Sequence, residues 1–292
     1  MFGINNKIKI QSDDVFGEKY VTVVSNELQK TIETIYNYDI KTIVIKTYDG
    51  YSFKDLEWLK ECSFIDQVHL FCYEDNFELK GLHYLKDMKL LNLNVTAKKM
   101  SQELDFGYFS KLQNCSLDWN PKMDNLFNCI TLQRLSLRKF KGKNLKGIDN
   151  LSNLNELLIN NSLIEGLIGL EGLAINRLKL SYLKKLETLN GINTLVESLK
   201  ILEIENCPKI EKIDYMEGLS NLQKLGLNNC KQIDSLKPIQ NLNKLQQFDF
   251  WGNTSILDGD MSPCIGIRKV AFENRKHYNY KNEEIDRINE KR

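Results

Sequence analysis

The 292-residue chain contains no stretch of 18 consecutive apolar residues, so no segment reads as a membrane-spanning helix. Its first residues, MFGINNKIKIQSDD, lack the apolar core of a secretion signal, which sets the expectation of a cytoplasmic protein without a membrane partner. Charge of one sign is missing as well. Lys and Arg total 40 against 39 Asp and Glu, and a net +1 gives no global drive toward nucleic acid or an anionic lipid surface. Any electrostatic recognition must therefore be local.

Metal and redox chemistry have little to stand on. The seven cysteines, at 62, 72, 115, 129, 207, 230 and 264, are odd in number and form no CxxC, which argues against a disulfide framework and a structural zinc site. The three histidines, His69, His83 and His277, include no pair at metal-ligand spacing. Asp258-Gly259-Asp260 lacks the further oxygen ligands of a calcium loop and reads as a turn. Gly166, Gly169 and Gly172 in EGLIGLEGL miss the GxGxxG spacing and read as loop glycines. No P-loop, nucleophile elbow or HExxH occurs, and Glu203 and Glu205 lie two apart without an implied basic or aromatic cradle. The expectation is a protein that is not an enzyme and carries no cofactor and no metal.

What the chain does have is a repeat. LKILEIENCPKIEKI from position 199 recurs as LQKLGLNNCKQIDSL from position 222. The central apolar position of an LxxLxLxxN/C template can be followed through Ile43, Val68, Met88, Cys115, Leu135, Leu157, Leu178, Leu202, Leu225, Phe248 and Val270. The intervals run 25, 20, 27, 20, 22, 21, 24, 23, 23 and 22 residues, all within the range of leucine-rich repeats, with NLNVTAKKMSQELDFGYFSK stretching one coil. In each LxL the two apolar residues point inward and the residue between them, such as Gly226, points out. Cys207, Cys230 and Asn253 take the turn position, where a small or polar side chain bonds the backbone of the adjoining coil. Return segments containing proline, such as LKPIQNL, suit short 3₁₀ or irregular turns.

The segments LQRLSL, LNELLI, LKILEI, LQKLGL and LQQFDF, with GLSNLQKL and PIQNLNKL leading into strands, resemble the short repeats of bacterial internalin-like leucine-rich-repeat proteins. The internalins' secretion signal and wall anchor do not appear in the chain. The resemblance implies an α/β solenoid: a horseshoe with a curved parallel sheet of about eleven strands and irregular or 3₁₀ convex turns. The expected organisation is an N-terminal cap of strand plus helix over 1–39, the solenoid over 40–266, and a last strand with a charged cap over 267–292. In the N-terminal cap, Asn26 and Gln29 fit a capping box, and Leu28, Ile32 and Ile35 share a helix face. DGDMSPC followed by NRKHYNYKNEEI resembles the closing segment of cytosolic leucine-rich-repeat proteins encoded beside polymorphic toxins. That resemblance implies an immunity protein.

The scaffold leaves the outward strand positions unconstrained, so function should live there, on a concave sheet that at roughly 4.8 Å per strand would extend roughly 50 Å. Early coils place His69, Phe71, Lys89, Leu91, Asp118 and, just past the strand, Trp119 there. Middle coils place Arg134, Arg138, Lys139, Arg177, Lys179 and Tyr182, and later coils Glu203, Glu205, Asp249, Trp251 and Glu273. Arg, Trp and Tyr are the residues enriched at interface hot spots. Taken singly, each is accounted for by a solvated face on which Arg134 and Arg138 pair with Glu156. Taken together, they point to a protein partner, most specifically a toxin domain to be neutralised. The alternative is nucleic-acid binding through the basic middle coils with Tyr182 for stacking, which the adjoining acidic coils oppose. Oligomeric state is left open.

Overall fold

The computed structural model describes residues 8–95 and 104–291, and the chain divides into two compact units, Met1–Leu132 and Gln133–Arg292. Both are built from one kind of coil. A short strand with alternating apolar residues buries one side, and a return segment of turns and 3₁₀ pieces buries its own leucines against the same core.

In the first unit, β1 (Gln11–Asp13) pairs antiparallel with β2 (Gly17–Val23). Helix α1 (Leu28–Asn37) follows, then β3 (Thr42–Lys46), β4 (Gln67–Cys72), β5 (Leu90–Val95) and β6 (Asn114–Asp118), which continue from β2 as a parallel sheet. Val21, Ile43, Val68, Leu91 and Cys115 fall in one register row, all buried. The third coil is thus anchored by Leu91, not Met88. Met88 is buried in the preceding turn, and the adjoining Lys89 meets Asp66 at 2.8 Å. With Leu91 in place the intervals of 20 and 27 become 23 and 24, and the anomalous stretch disappears; residues 96–103 of it lie outside the described residues.

Helix α1 buries Thr31, Ile32 and Ile35, and Leu28 is half-buried. The expected capping box does not form. Asn26 is taken up in a 3₁₀ turn, Ser25–Glu27, which moves the helix start to Leu28, and no side chain caps it among the described residues.

In the second unit, β7 (Arg134–Arg138), β8 (Glu156–Asn160), β9 (Arg177–Ser181), β10 (Ile201–Glu205) and β11 (Lys224–Asn228) pair in parallel and in order. After a two-residue β12 (Gln232–Ile233), the sheet continues with β13 (Gln247–Phe250) and β15 (Lys269–Phe272), while β14 (Ser255–Ile256) pairs with β12. The inward ladder Leu135, Leu157, Leu178, Leu202, Leu225, Phe248 and Val270 matches the repeat read from sequence and is buried throughout. Each such side chain contributes roughly 1.5 to 3 kcal/mol by leaving water, and every coil needs its neighbour to do so. Gly169 is required where it stands: at φ +111°, a Cβ would lie 2.3 Å from the Leu145 carbonyl carbon of the preceding coil.

The final coil is closed by α2 (Asn282–Asn289) and the loop before it. Side chains there take the place of a further coil's backbone. The Tyr278 hydroxyl accepts from Ile256 N at 3.0 Å, Asn279 accepts from Met261 N at 2.8 Å, and Asn289 accepts from Gly266 N at 2.6 Å while donating to the Ile267 carbonyl at 2.8 Å. Asp260 serves the turn expected of it, accepting from Ser262 N and Asn279 Nδ2.

Candidate partner-binding face

In the second unit the strand residues between the buried pairs form three rows on the open side of the sheet. The first row includes Arg134, Glu156, Arg177 and Lys224; the middle row Lys179, Glu203, Gly226 and Asp249; the last Arg138, Asn160, Ser181, Glu205 and Asn228. Opposite charges on adjacent strands have found one another. Arg177 Nη2 donates to Glu203 Oε2 at 2.8 Å and Lys224 Nζ to Glu203 Oε1 at 3.0 Å, so one carboxylate is held from both flanking strands. Burial pushes the Glu203 carboxyl up, and these two bonds outweigh it, holding it below its ordinary value. Lys179 lies 3.8 Å from Glu205, and Arg134 3.6 Å from Glu156. The basic cradle that spacing along the chain did not imply for Glu203 is supplied across strands, by residues 26 positions before and 21 after it.

Six of the predicted residues lie off the strands: Lys89 just before β5, Glu273 just after β15, and four more. Trp119, Lys139, Tyr182 and Trp251 each follow the last residue of a strand, on the rim where the parallel strands end. Trp119 stacks on Phe127 with ring centres 5.3 Å apart. Along the second unit's rim, Lys139, Asn161, Tyr182, Asn206 and Asn229 all have left-handed backbone, φ +47° to +58°, and Gly252 continues the series at +68°. The cause is in the coil. Each turn swings its N–H onto the last strand carbonyl of the next coil: Lys139 to Asn160, Asn161 to Ser181, Tyr182 to Glu205 and Asn206 to Asn228, at 2.9 to 3.0 Å. Asparagine and glycine tolerate that conformation, whereas other L-residues lose ~1 to 2 kcal/mol in it. Lysine and tyrosine at two of the six positions are therefore exceptions to what the scaffold favours.

Immediately inside the rim runs a buried column that ties coils together through side chains. Cys207 Sγ reaches the Leu180 and Glu205 carbonyls at 3.7 and 3.4 Å, Cys230 Sγ reaches Ile204 and Asn228 at 3.6 and 3.4 Å, and Thr254 Oγ1 donates to Leu227 at 2.7 Å. Thr254 fills the place expected of Asn253, which is exposed because this turn holds one residue more after its left-handed position, Gly252; Asn253 accepts from Lys231 N at 3.2 Å instead. Burial pushes the Cys207 thiol up to about 12 and the Cys230 thiol up to about 11. All seven cysteines are buried, and among the described residues they form no disulfide.

Asp249 accepts from Asn228 Nδ2 at 3.1 Å, Asn228 Oδ1 accepts from Trp251 N at 2.8 Å, and Trp251 is 45% exposed.

The first unit's open face differs from expectation. His69 stands on the outward side of β4 but is only 6% exposed, because Phe16, in the β1–β2 turn, folds over it with ring centres 4.9 Å apart. Phe16 also meets Tyr20 at 5.2 Å and Phe71 at 6.0 Å, leaving Phe71 half-buried. Asp13 holds the turn by accepting from Val15 N, Phe16 N and the Tyr20 hydroxyl, the last at 2.6 Å. Burial takes His69 down to about 4, and the Asp13 carboxylate opposes this weakly. Phe16 carried no signal in the sequence: it belongs to no repeat position. Leu91, expected outside, is fully buried, and Leu90 and Asn92 take the outward places. Asp118 closes β6 at its rim end.

No helix among the described residues is long and apolar enough to cross a membrane. The sequence matches no protein-family model and no curated protein. Among solved structures the chain is similar to an internalin from Listeria monocytogenes, at 18% identity and a TM-score of 0.52, covering 81% of this chain and 73% of that one. It is also similar to a leucine-rich-repeat protein from Leptospira interrogans, at 14% identity and a TM-score of 0.53, covering 88% and 71%. Likeness at these identities shows the fold, and the fold is that of bacterial leucine-rich-repeat proteins.

Proposed function

We propose that this leucine-rich-repeat chain is a protein-interaction module that takes its partner on the open face and rim of the second unit. The observation that carries this reading is the outward half of β7 to β13: Arg138, Lys179, Glu205 and Asp249 occupy positions that the coil leaves free to vary, and exposed Tyr182 and Trp251 stand beside them on the rim. Solenoids of this kind present such faces to their partners. The nucleic-acid alternative is weakened by the pairing of Arg134, Arg177 and Lys179 with carboxylates, since a cation already matched to a neighbour releases few counterions on binding a phosphate. In its finer form the partner is a bacterial toxin domain, the chain acts as its immunity protein in the cytoplasm, and the solenoid of 40–266 lies between its two caps. The closing-segment resemblance supports that form.

The test is affinity capture from the native host, followed by calorimetry with the captured partner. Charge reversal at Arg138 and Arg177 is expected to weaken binding at least tenfold, at the scale of ~2 to 5 kcal/mol for a desolvated interfacial charge, while reversal at the return-segment Lys237 leaves it unchanged. Equal affinities for all three would remove the open face from the reading, and capture of nucleic acid in place of protein would overturn it. For the immunity form, co-expression with the captured partner should rescue the growth of cells that the partner alone arrests.

A further inference from the structure

The rim of the second unit combines strain with exposure at one residue. Tyr182 is held at φ +57° by its N–H bond to the Glu205 carbonyl, in a column whose other members include Asn161, Asn206, Asn229 and Gly252. The residue is 49% exposed, and its side chain makes no hydrogen bond, ion pair or ring contact with a described residue. A bulky residue kept in a strained conformation with no side-chain hydrogen bond, ion pair or ring contact to offset it points to a role outside the fold. The neighbours give that role a chemistry. Two residues further along, the same register column holds Lys141, Leu163 and Lys184, all exposed, and the turn after β7, KFKGKNLK, contains four lysines and no acid. One residue before Tyr182, Ser181 lies on the open face and is only 3% exposed, and its hydroxyl has no hydrogen-bond partner among the described residues.

We infer that Tyr182, flanked by Lys141, Leu163 and Lys184, is the anchor of a docking site on the β7–β9 rim for an acidic protein segment carrying an aromatic or apolar side chain. The inference rests on the interaction-module reading and locates its centre. The face behind the rim has matched most of its charge internally, through Glu203 with Arg177 and Lys224 and through Glu205 with Lys179, whereas the rim, where Lys143 meets Glu165 at 3.5 Å, keeps its excess of lysine in Lys141 and Lys184. An acidic segment meets that excess, and the tyrosine ring with the exposed Leu163 supplies the apolar contact. A single-stranded nucleic acid would use the lysines and stack on Tyr182 but give no use to Leu163.

The probe is a random copolymer of glutamate and tyrosine, titrated by fluorescence anisotropy against the full chain, with polyglutamate and a single-stranded oligonucleotide of similar charge as comparators. The copolymer is expected to bind at least about tenfold tighter than either comparator. Tyr182→Asn is expected to raise the melting temperature, because asparagine relieves the left-handed strain, and to weaken the copolymer at least about tenfold. The double variant Lys141→Glu/Lys184→Glu tests the charge independently and should weaken binding comparably, while Lys237→Glu should not. Tyr182→Asn that gains stability and keeps its affinity overturns the inference, as does an oligonucleotide that competes as well as the copolymer. If Arg138→Glu and Arg177→Glu abolish copolymer binding while the rim variants retain it, the rim placement fails and the interaction-module reading stands. Failure of every polypeptide probe alongside tight oligonucleotide binding would remove both.

Discussion

The two units use one coil and finish its outward face in opposite ways. In the first, Phe16 lies across Tyr20, His69 and Phe71, and the outward row includes the fully buried Val44, so part of the open side has become a second small core. In the second, the same register positions carry Arg177, Lys179, Glu203 and Glu205, matched across strands and partly open to water. The inward halves are alike because the solenoid needs them alike, and the outward halves differ because nothing in the coil constrains them. A face that a neighbouring hairpin has already covered is spent on stability, and the uncovered face is where a partner has room.

Three experiments break or sharpen that comparison. The largest effect should be the one that does not distinguish the units. Leu70→Ala and Leu202→Ala each remove a fully buried inward leucine, and each should cost ~2 to 5 kcal/mol in denaturant titration. A much smaller cost at Leu70 would show that the first unit's ladder is not packed as the second's is.

The next separates the faces by pH. His69 sits at about 4 in the folded chain against 6.5 for the free side chain, so between those values the unfolded chain takes up the proton first. Its contribution is complete above pH 6.5 and falls away as pH drops toward 4, by up to about 3 kcal/mol. Glu203, held below its ordinary 4.5, keeps its contribution down to about that pH and loses it progressively at more acid pH. Stability measured from pH 7 to 4 should therefore decline in the wild type and decline less in His69→Gln. An unchanged slope in that variant would show that His69 is not the group being titrated.

The smallest effect concerns one ion pair. Arg177→Ala leaves Glu203 with Lys224 alone and should cost about 1 kcal/mol, since both Arg177 and Glu203 keep some contact with solvent. Nuclear magnetic resonance should show the Glu203 carboxyl titrating at higher pH in that variant. A carboxyl that does not move would mean that Lys224 holds it unaided.

Much of the architecture was legible in the sequence, and most clearly where the template is densest. From Leu135 to Val270 every inward anchor was placed in its true register, because alternation along a strand and a repeat of 21 to 24 residues are both written in neighbouring letters. The short 3₁₀ return turns were legible for the same local reason. Where the letters were ambiguous, tertiary structure decided. Met88 and Leu91 both fit an apolar position, and only pairing with Val68 and Cys115 selected Leu91. Nothing near Phe16 in the chain announces that it will cover His69, 53 residues away, and nothing beside Glu203 announces Arg177 and Lys224. The left-handed turn that sets Tyr182 on the rim is imposed by a carbonyl of the next coil. Sequence determined what each coil does by itself, since a strand's alternation needs no partner. What covers, neutralises or strains its outward residues depends on groups that become neighbours only after the coils have stacked.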